Sequence, residues 1–461
     1  MQVFTPNEIT QTAANKYLAV LVASRYARAL NEFPKMPSSR EKKLTTRALE
    51  DLTDGDVAYR VVPRVRPFAG RRVLLGVTGG IASYKAALLA RALLKAGATV
   101  EVILTRSARE FVGGITFEGL TGRPVHDALL AEGAALTHIA LAKAADVVVV
   151  APATADFLAR AATGRADDLL GAVLLATTAP VVIAPAMNDH MWAHPAVQAN
   201  VRTCAGLGYR VVDPAVGDLA AGEGSGPGRF PEPEILVAHV ARALEVPSLA
   251  GLRVVVTAGP TQAPIDPVRF LSNHSTGKMG VALASAAWRR GADVRLIHGP
   301  LSVPLPAHLP CEAVTTTAEM ADAVAAALPH ADVLVMAAAP VDFVAADVAP
   351  QKLKKSDGAV SLAVRPAVDI LASTRVARPP GVTVVGFALE THDGERYARE
   401  KLAAKGLDLI VLNLAGTADA GFGADTNRVS VIDATAREDL PLLPKDAVAD
   451  ELWDRIVRRR G

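Results

Sequence analysis

The turn GVTGGIASYK at 76–85 places Thr78, Gly79 and Gly80 between an apolar run and a helical pattern, where free backbone N–H groups can face a phosphate. The next apolar run ends Leu104, Thr105, Arg106, Ser107. A dinucleotide fold usually carries Asp or Glu at that point to hold a ribose; hydroxyls suit a mononucleotide phosphate better. Three further strand ends bring side chains with chemistry of their own: THIAL with His138, APATADFLAR with Ala153 and Thr154, and PAMN ending in Asn188. A histidine near neutral pKa can move protons, and an Asn amide can orient a carboxylate through hydrogen bonds. Taken alone, His138 reads as a satisfied surface or core histidine.

A second set begins with TAGPTQAPIDPVRFLSNHSTGKMG at 257–280. Its end imitates a P-loop but lacks two parts: Ser272 replaces the first Gly, and Met279 replaces the Ser or Thr that would hold magnesium. What remains is a polar, glycine-containing loop entering a helix at Lys278, still an anion site. Later come AAAPVDF with Asp342, PQKLKK with Lys352, Lys354 and Lys355, and GFALET with Phe387. A lysine run is ordinarily a solvated face. Its place after a strand-end Asp, with the SNHSTGKMG loop upstream, points instead to phosphate. Two rival motifs fail. His190 and His194 have zinc-ligand spacing, but Met191 stands where a zinc protease needs Glu, which favours structural or surface histidines. Tyr397 and Lys401 have the YxxxK spacing of short-chain dehydrogenases without the matching serine or nucleotide loop.

These residues need a scaffold. At roughly 150 residues per domain, 461 residues suggest about three domains. Lys plus Arg is 49 and Asp plus Glu is 47, a net +2 that gives no overall field for nucleic acid or anionic membrane. Hydrophobic content of 51% with only 4% aromatics matches close-packed α/β layers. Cys204 and Cys311 are too few for a disulfide framework. With no secretory pattern in MQVFTPNEIT, the expectation is a cytoplasmic protein. The uncharged stretch 169–187 is broken by Thr177, Thr178, Pro180 and Pro185, so it reads as a short buried helix and a buried strand. The fold class expected is α/β: two tandem doubly wound parallel-sheet domains, Rossmann-like or flavodoxin-like, at 67–246 and 247–461. A small α-helical segment precedes them at 1–66, in which Leu18, Val22 and Leu30 mark the apolar side of an amphipathic helix.

GVTGGIASYK, THIAL, APATADFLAR, PAMN and the glycine-rich GEGSGPGR at 222–229 together resemble the flavin-dependent phosphopantothenoylcysteine decarboxylases. The resemblance implies FMN lined by Thr78, Gly79, Gly80, Thr105, Ser107, Phe111, Ala153 and Thr154, with His138 and Asn188 catalytic. Flavin oxidation of the substrate thiol supplies the electron sink that loss of CO2 requires. One departure is Ala221, where the family often carries a cysteine in its flap; Ala cannot donate a proton, so the final reduction needs another donor. The glycines around it suggest a mobile lid.

The second half resembles the CTP-using phosphopantothenate–cysteine ligases. Matched positions imply Asn273 and Lys352 as catalytic residues and Arg269 as a functional arginine. They also imply a CTP site at Met336, Ala337, Ala338, Asp342, Phe387, Lys401 and Lys405, with Mg2+ beside the phosphates. The 4′-phosphopantothenate carboxylate would attack CTP to give an acyl-cytidylate, and L-cysteine would then displace CMP to give 4′-phosphopantothenoylcysteine. NKYLAVLVASRYARAL and LTTRALEDLTDGDVAYRVVP resemble the omega subunit of bacterial RNA polymerase, which implies a contact with that polymerase through residues 1–66. The expectation is a bifunctional, homo-oligomeric enzyme of coenzyme A biosynthesis making 4′-phosphopantetheine, without membrane or direct nucleic-acid contact. The alternative is a flavin-binding regulatory or assembly protein that kept the folds but lost turnover.

Overall fold

The computed structural model describes residues 4–32, 43–57, 59, 66–130, 135–219, 222, 224–354, 361–390, 392–414 and 423–460; Ala221 and Lys355 lie outside them. The chain divides into two compact units, Met1–Arg64 and Val65–Gly461. In the first, helices Lys16–Glu32 and Leu44–Thr53 pack on each other. The buried stripe is Ala19, Ala23 and Ala27, against Ala48 and Leu52. Leu18, Val22 and Leu30, expected to mark the inner face, are only half-buried. Small side chains at the contact let the two helices approach closely, and that decides which face goes inward.

The second unit contains two large sheets. The first is built from β1 (Arg72–Val77), β2 (Thr99–Leu104), β3 (Val125–His126), β4 (Val147–Ala153), β5 (Val181–Pro185) and β6 (Arg210–Val211), in the order β3-β2-β1-β4-β5-β6. All neighbours are parallel. Because helices cover both faces, the strands are near-continuous Val, Ile, Leu and Ala runs. Val73, Leu75 and Val77 face helices Ser83–Lys95 and Pro233–Leu244; Leu74 faces Ala155–Thr163 and Leu169–Ala176. The uncharged stretch at 169–187 thus resolves into a helix and β5. Among the described residues no helix is long and apolar enough to cross a membrane.

The second sheet comprises β7 (Arg253–Ala258), β8 (Asp293–His298), β9 (Cys311–Ala313), β10 (Val333–Met336), β11 (Thr383–Glu390), β12 (Leu409–Leu414), β13 (Val429–Ile432) and β14 (Arg437–Asp439). Its order is β9-β8-β7-β10-β11-β12-β13-β14. The first six run parallel, and β13 and β14 extend the sheet antiparallel. In both sheets the order reverses beside the first strand, between β1 and β4 and between β7 and β10. Ligands of open α/β sheets sit outside the strand ends at such a switch point.

Between the sheets, Arg242 of helix Pro233–Leu244 donates to the carbonyls of Trp288 (2.7 Å), Gly291 (3.0 Å) and Ala292 (3.2 Å), at the end of helix Lys278–Arg289. Its guanidinium lies 4.6 Å from the Trp288 ring centroid, so it caps a helix C-terminus and stacks on an aromatic face together. His239 and His308 flank the same ring at 5.0 and 4.5 Å. Burial, then the positive charges of Arg210, His308 and Arg242, push His239 down to about 4; burial and Arg242 do the same to His308. The unfolded chain therefore binds more protons between about pH 4 and the ordinary histidine value of 6.5, and stability falls as pH drops through that window. Replacing both with Gln should flatten the pH dependence of the melting temperature there; an unchanged slope by scanning calorimetry would show that these histidines do not set it.

Candidate functional site

The first crevice opens where β1 and β4 part. The buried Thr78 hydroxyl donates to the Pro152 carbonyl at 2.8 Å and accepts from the Thr154 amide at 3.0 Å, tying the two strand ends together. Thr154, just past Ala153 and the end of β4, caps helix Ala155–Thr163 by accepting from Phe157 N at 3.3 Å. On the other side, the Thr105 hydroxyl reaches the Val77 carbonyl at 3.3 Å and lies 3.4 Å from Ser107 Oγ. Gly79 passes against Ser107 so closely that a Cβ would overlap that side chain and come within 2.6 Å of its backbone carbon. A Cβ on Gly80 would meet only Thr154 Cγ2, at 3.7 Å. The amides of Gly79 and Ile81, at the start of helix Ser83–Lys95, donate to no described residue. Unused N–H groups before a helix, flanked by hydroxyls, are donors of the kind that suit an anion.

Asn188 follows β5. Its side-chain oxygen accepts from His190 N (2.9 Å) and Met191 N (3.4 Å), leaving the amide hydrogens for an acceptor such as a carboxylate. A hairpin of Ala215–Asp218 and Ser225–Arg229 lies over this point, with Met187 N donating to Gly228 O at 3.0 Å. Gly228 has φ +143°, and a Cβ would collide with the Met187 carbonyl, so only glycine lets the hairpin seat there. His138, second residue of helix Thr137–Ala144, has a buried Nδ1 with no partner. Phe111 is 50% exposed. No hydrogen bond joins His138 or Phe111 to the other residues of this crevice. His194 Nδ1 accepts from Ala196 N at 3.2 Å and caps helix Pro195–Gly206. No metal-holding group of His, Cys, Asp or Glu exists among the described residues.

The second crevice repeats the first. The buried Thr257 hydroxyl accepts from Ala338 N at 3.1 Å, and Ala339 N donates to Gly259 O at 2.9 Å, so β7 is pinned to the end of β10 at Met336 and to Ala337 and Ala338 just after it. Asn273 Nδ2 donates to the Ala339 (3.1 Å) and Pro340 (2.9 Å) carbonyls, bringing the SNHSTGKMG loop to that turn. Lys278 Nζ is held by Gly423 O and Asp425 Oδ1, each at 2.8 Å. On the far side, Lys401 Nζ donates to Phe387 O at 2.8 Å. Burial pushes its ammonium down from the usual lysine range, opposed by Glu390, Asp342 and Asp369. Lys405 pairs with Asp369. Asp342 is exposed, its carbonyl accepting from Ala367 N at 2.8 Å.

Arg269 is engaged on two sides, by the Asp266 carboxylate and by Leu353 O at 2.7 Å. Lys352, next to Leu353, is exposed and makes no hydrogen bond or ion pair with a described residue. Asp266 had no place among the residues singled out from sequence. An Asp between prolines in APIDPV reads as a turn residue, and only its contacts with distant chain set it apart.

A family model described as Flavoprotein matches residues 64–245, and one described as DNA/pantothenate metabolism flavoprotein C-terminal domain matches residues 249–459. The coenzyme A biosynthesis bifunctional protein CoaBC of Vibrio cholerae is 44% identical over 396 residues, covering 85% of this chain and 99% of its own. The protein of that name from Bacillus subtilis is 46% identical over 396 residues, covering 84% and 97%; the one from Mycobacterium bovis is 47% identical over 404 residues, covering 84% and 96%.

The contrast at the first turn is testable by thermal unfolding. Gly79→Ala must force the β1 and β2 loops apart, an overpacking cost of about 1–3 kcal/mol, whereas Gly80→Ala should leave the transition close to wild type. Equal melting temperatures for the two variants would mean that the loops are not in contact.

Proposed function

The chain belongs to the family of bifunctional coenzyme A biosynthesis proteins, and from that premise we propose that its two switch-point crevices divide the two reactions between them. It is an enzyme with phosphopantothenoylcysteine decarboxylase and phosphopantothenate–cysteine ligase activities. Decarboxylation belongs to the first crevice, in a domain spanning 67–246, and ligation to the second, in a domain spanning 247–461. The observation that carries this reading is the same threonine-pinned opening at both switch points, lined by donors suited to anions. Turnover is favoured over an assembly protein that lost it, because relatives matching along both halves are named as bifunctional proteins of coenzyme A biosynthesis.

FMN fits the first crevice. The unused Gly79 and Ile81 amides, with Thr105 and Ser107, would hold its phosphate, and Gly80, Phe111, Ala153 and Thr154 would line it. When bound, the flavin supplies the two-electron oxidation of the substrate thiol that makes loss of CO2 possible, and returns the pair afterwards. The Asn188 amide hydrogens then hold the departing carboxylate, and His138 Nδ1, buried and unpartnered, takes and returns a proton. The hairpin over Asn188 shields that carboxylate from bulk solvent. Ala221 leaves the last protonation to a positioned water, so Ala221→Cys changes rate and not product.

In the second crevice the 4′-phosphopantothenate carboxylate attacks the α-phosphorus of CTP; a C–O–P bond forms and pyrophosphate leaves. The amine of L-cysteine then attacks the acyl carbon, CMP leaves, and the amine proton passes to solvent. Charge builds on phosphate oxygens in the first step and on the acyl oxygen in the second. Lys352 is the donor for these, Asn273 holds its loop against the Ala339 and Pro340 carbonyls beside the reacting groups, Lys401 and Lys405 hold the nucleotide beside Met336, Ala337, Ala338 and Phe387, and Asp342 accepts from the cytosine amino group. Mg2+, when bound with CTP, would supply charge neutralisation on the phosphate oxygens beside these lysines.

Exposed Tyr84, Leu88 and Ile115 on the neighbouring helices Ser83–Lys95 and Gly114–Thr121 support a homo-oligomer. Tyr17, Val20 and Leu21, exposed on helix Lys16–Glu32, support a polymerase contact through 1–66. Pull-down of purified RNA polymerase by the full chain, lost on deleting 1–66, is the expected result, and equal capture without the segment refutes that contact.

Three variants separate the crevices. Lys352→Ala should lower pyrophosphate release by on the order of 100-fold or more while the protein stays yellow. His138→Asn and Asn188→Asp should stop CO2 release and let 4′-phosphopantothenoylcysteine accumulate, the latter by setting like charge against the carboxylate. Mass analysis of the products reads each outcome. Normal 4′-phosphopantetheine output from any one of them removes that residue from its reaction.

A further inference from the structure

Asp266 sits in the loop joining the short strands Gln262–Pro264 and Phe270–Ser272, and only 3% of it is exposed. One carboxylate oxygen accepts from the amides of Val268 and Arg269, each at 2.8 Å. The other accepts from Arg269 Nε at 2.9 Å, from a terminal nitrogen of the same guanidinium and from Leu353 N at 3.1 Å. Arg269 in turn donates to Leu353 O at 2.7 Å, and Ala349 N donates to Ile265 O at 3.0 Å. Both backbone groups of the residue after Lys352 are therefore tied, the amide by Asp266 and the carbonyl by Arg269. The Lys352 side chain is left without a described partner.

We propose that Asp266 is a positioning residue for the ligase reaction: with Arg269 it clasps the segment Ala349–Leu353 and presents the Lys352 ammonium to the nucleotide phosphates. The proposal rests on the reading of Lys352 as a phosphate-facing catalytic residue. A lysine on an untethered loop would spend its charge over a wide volume, and fixing the backbone beside it removes much of that freedom before the substrate arrives. The clasp needs a carboxylate. Its two oxygens accept five N–H groups, whereas an amide would present its own N–H2 to the donors of Arg269 or Leu353. Arg269, followed by burial acting the other way and by the Val268, Leu353 and Arg269 amides, leaves the Asp266 carboxyl well below the usual carboxylate range. It stays charged at any working pH, and its charge is spent on Arg269 and backbone amides, away from the Lys352 ammonium.

The test is a double-mutant cycle in the full chain, followed by CTP- and 4′-phosphopantothenate-dependent pyrophosphate release. Asp266→Asn should lower kcat by up to on the order of 100-fold with KM for 4′-phosphopantothenate little changed, and should add little in a Lys352→Ala background. Trypsin should cut after Lys352 and Lys354 faster in Asp266→Asn than in wild type. Asp266→Glu, which keeps the charge, should recover part of the rate. Decarboxylation of supplied 4′-phosphopantothenoylcysteine should be unchanged in every variant, which reports an intact fold. If Asp266→Asn loses decarboxylation too, the Asp266→Glu rate and cleavage pattern decide: wild-type cleavage with a lost rate overturns the clasp. Losses that multiply in the double variant, or unchanged tryptic cleavage, also overturn it. Full ligase activity of Lys352→Ala alone would instead remove the reading of Lys352, a separate result.

Discussion

Each large sheet carries one constraint on which its site depends: two adjacent parallel strands end side by side, and the chain leaves them toward opposite faces. A gap must open between such ends, and unpaired backbone groups would line it. A buried threonine solves the problem twice. Thr78 bridges the Pro152 carbonyl and the Thr154 amide, and Thr257 accepts from Ala338 N. Each hydroxyl fixes the width of its gap by hydrogen bonds that no apolar side chain of similar volume could make. The glycine turns, helix starts and lysines have defined places only because those two strand ends do.

The chemistry then differs by what each opening presents. The first offers backbone amides, hydroxyls and one amide side chain, a mainly neutral set of donors. The second offers Lys278, Lys401 and Lys405 on two helices, each beside an acid or a carbonyl, and exposed Lys352 on a loop, a mainly cationic set. The two openings belong to different sheets, and the sheets are joined by a compact set of contacts around Trp288. Arg242 satisfies three helix-end carbonyls there, and Arg289 adds a pair to Glu245.

Most of this was legible in the sequence. Strands buried on both faces announce themselves as apolar runs, and the residues that follow them can be read from the sequence alone. Three things were not. Strand β13 is only four residues long and β14 is three residues, all charged, so β14 shows no signal of a strand at all. The alanine stripe of helix Lys16–Glu32 loses on any hydrophobicity scale to the larger residues beside it, yet close approach selects it. Asp266 acts through Leu353, 87 residues away, and no local pattern encodes such a contact. The zinc-like spacing of His190 and His194 shows the converse: the motif was visible, and the fold uses His194 as a helix cap.

The central claim is that two separate crevices in one chain perform consecutive reactions through a diffusible intermediate. Its most direct test mixes two inactive proteins, Lys352→Ala and His138→Asn, with FMN, CTP, Mg2+, 4′-phosphopantothenate and L-cysteine. Each lacks the crevice that the other keeps, so the mixture should form 4′-phosphopantetheine, detected by mass spectrometry, although neither protein forms it alone. No product from the mixture, with both variants folded and wild type active under the same conditions, would contradict the account.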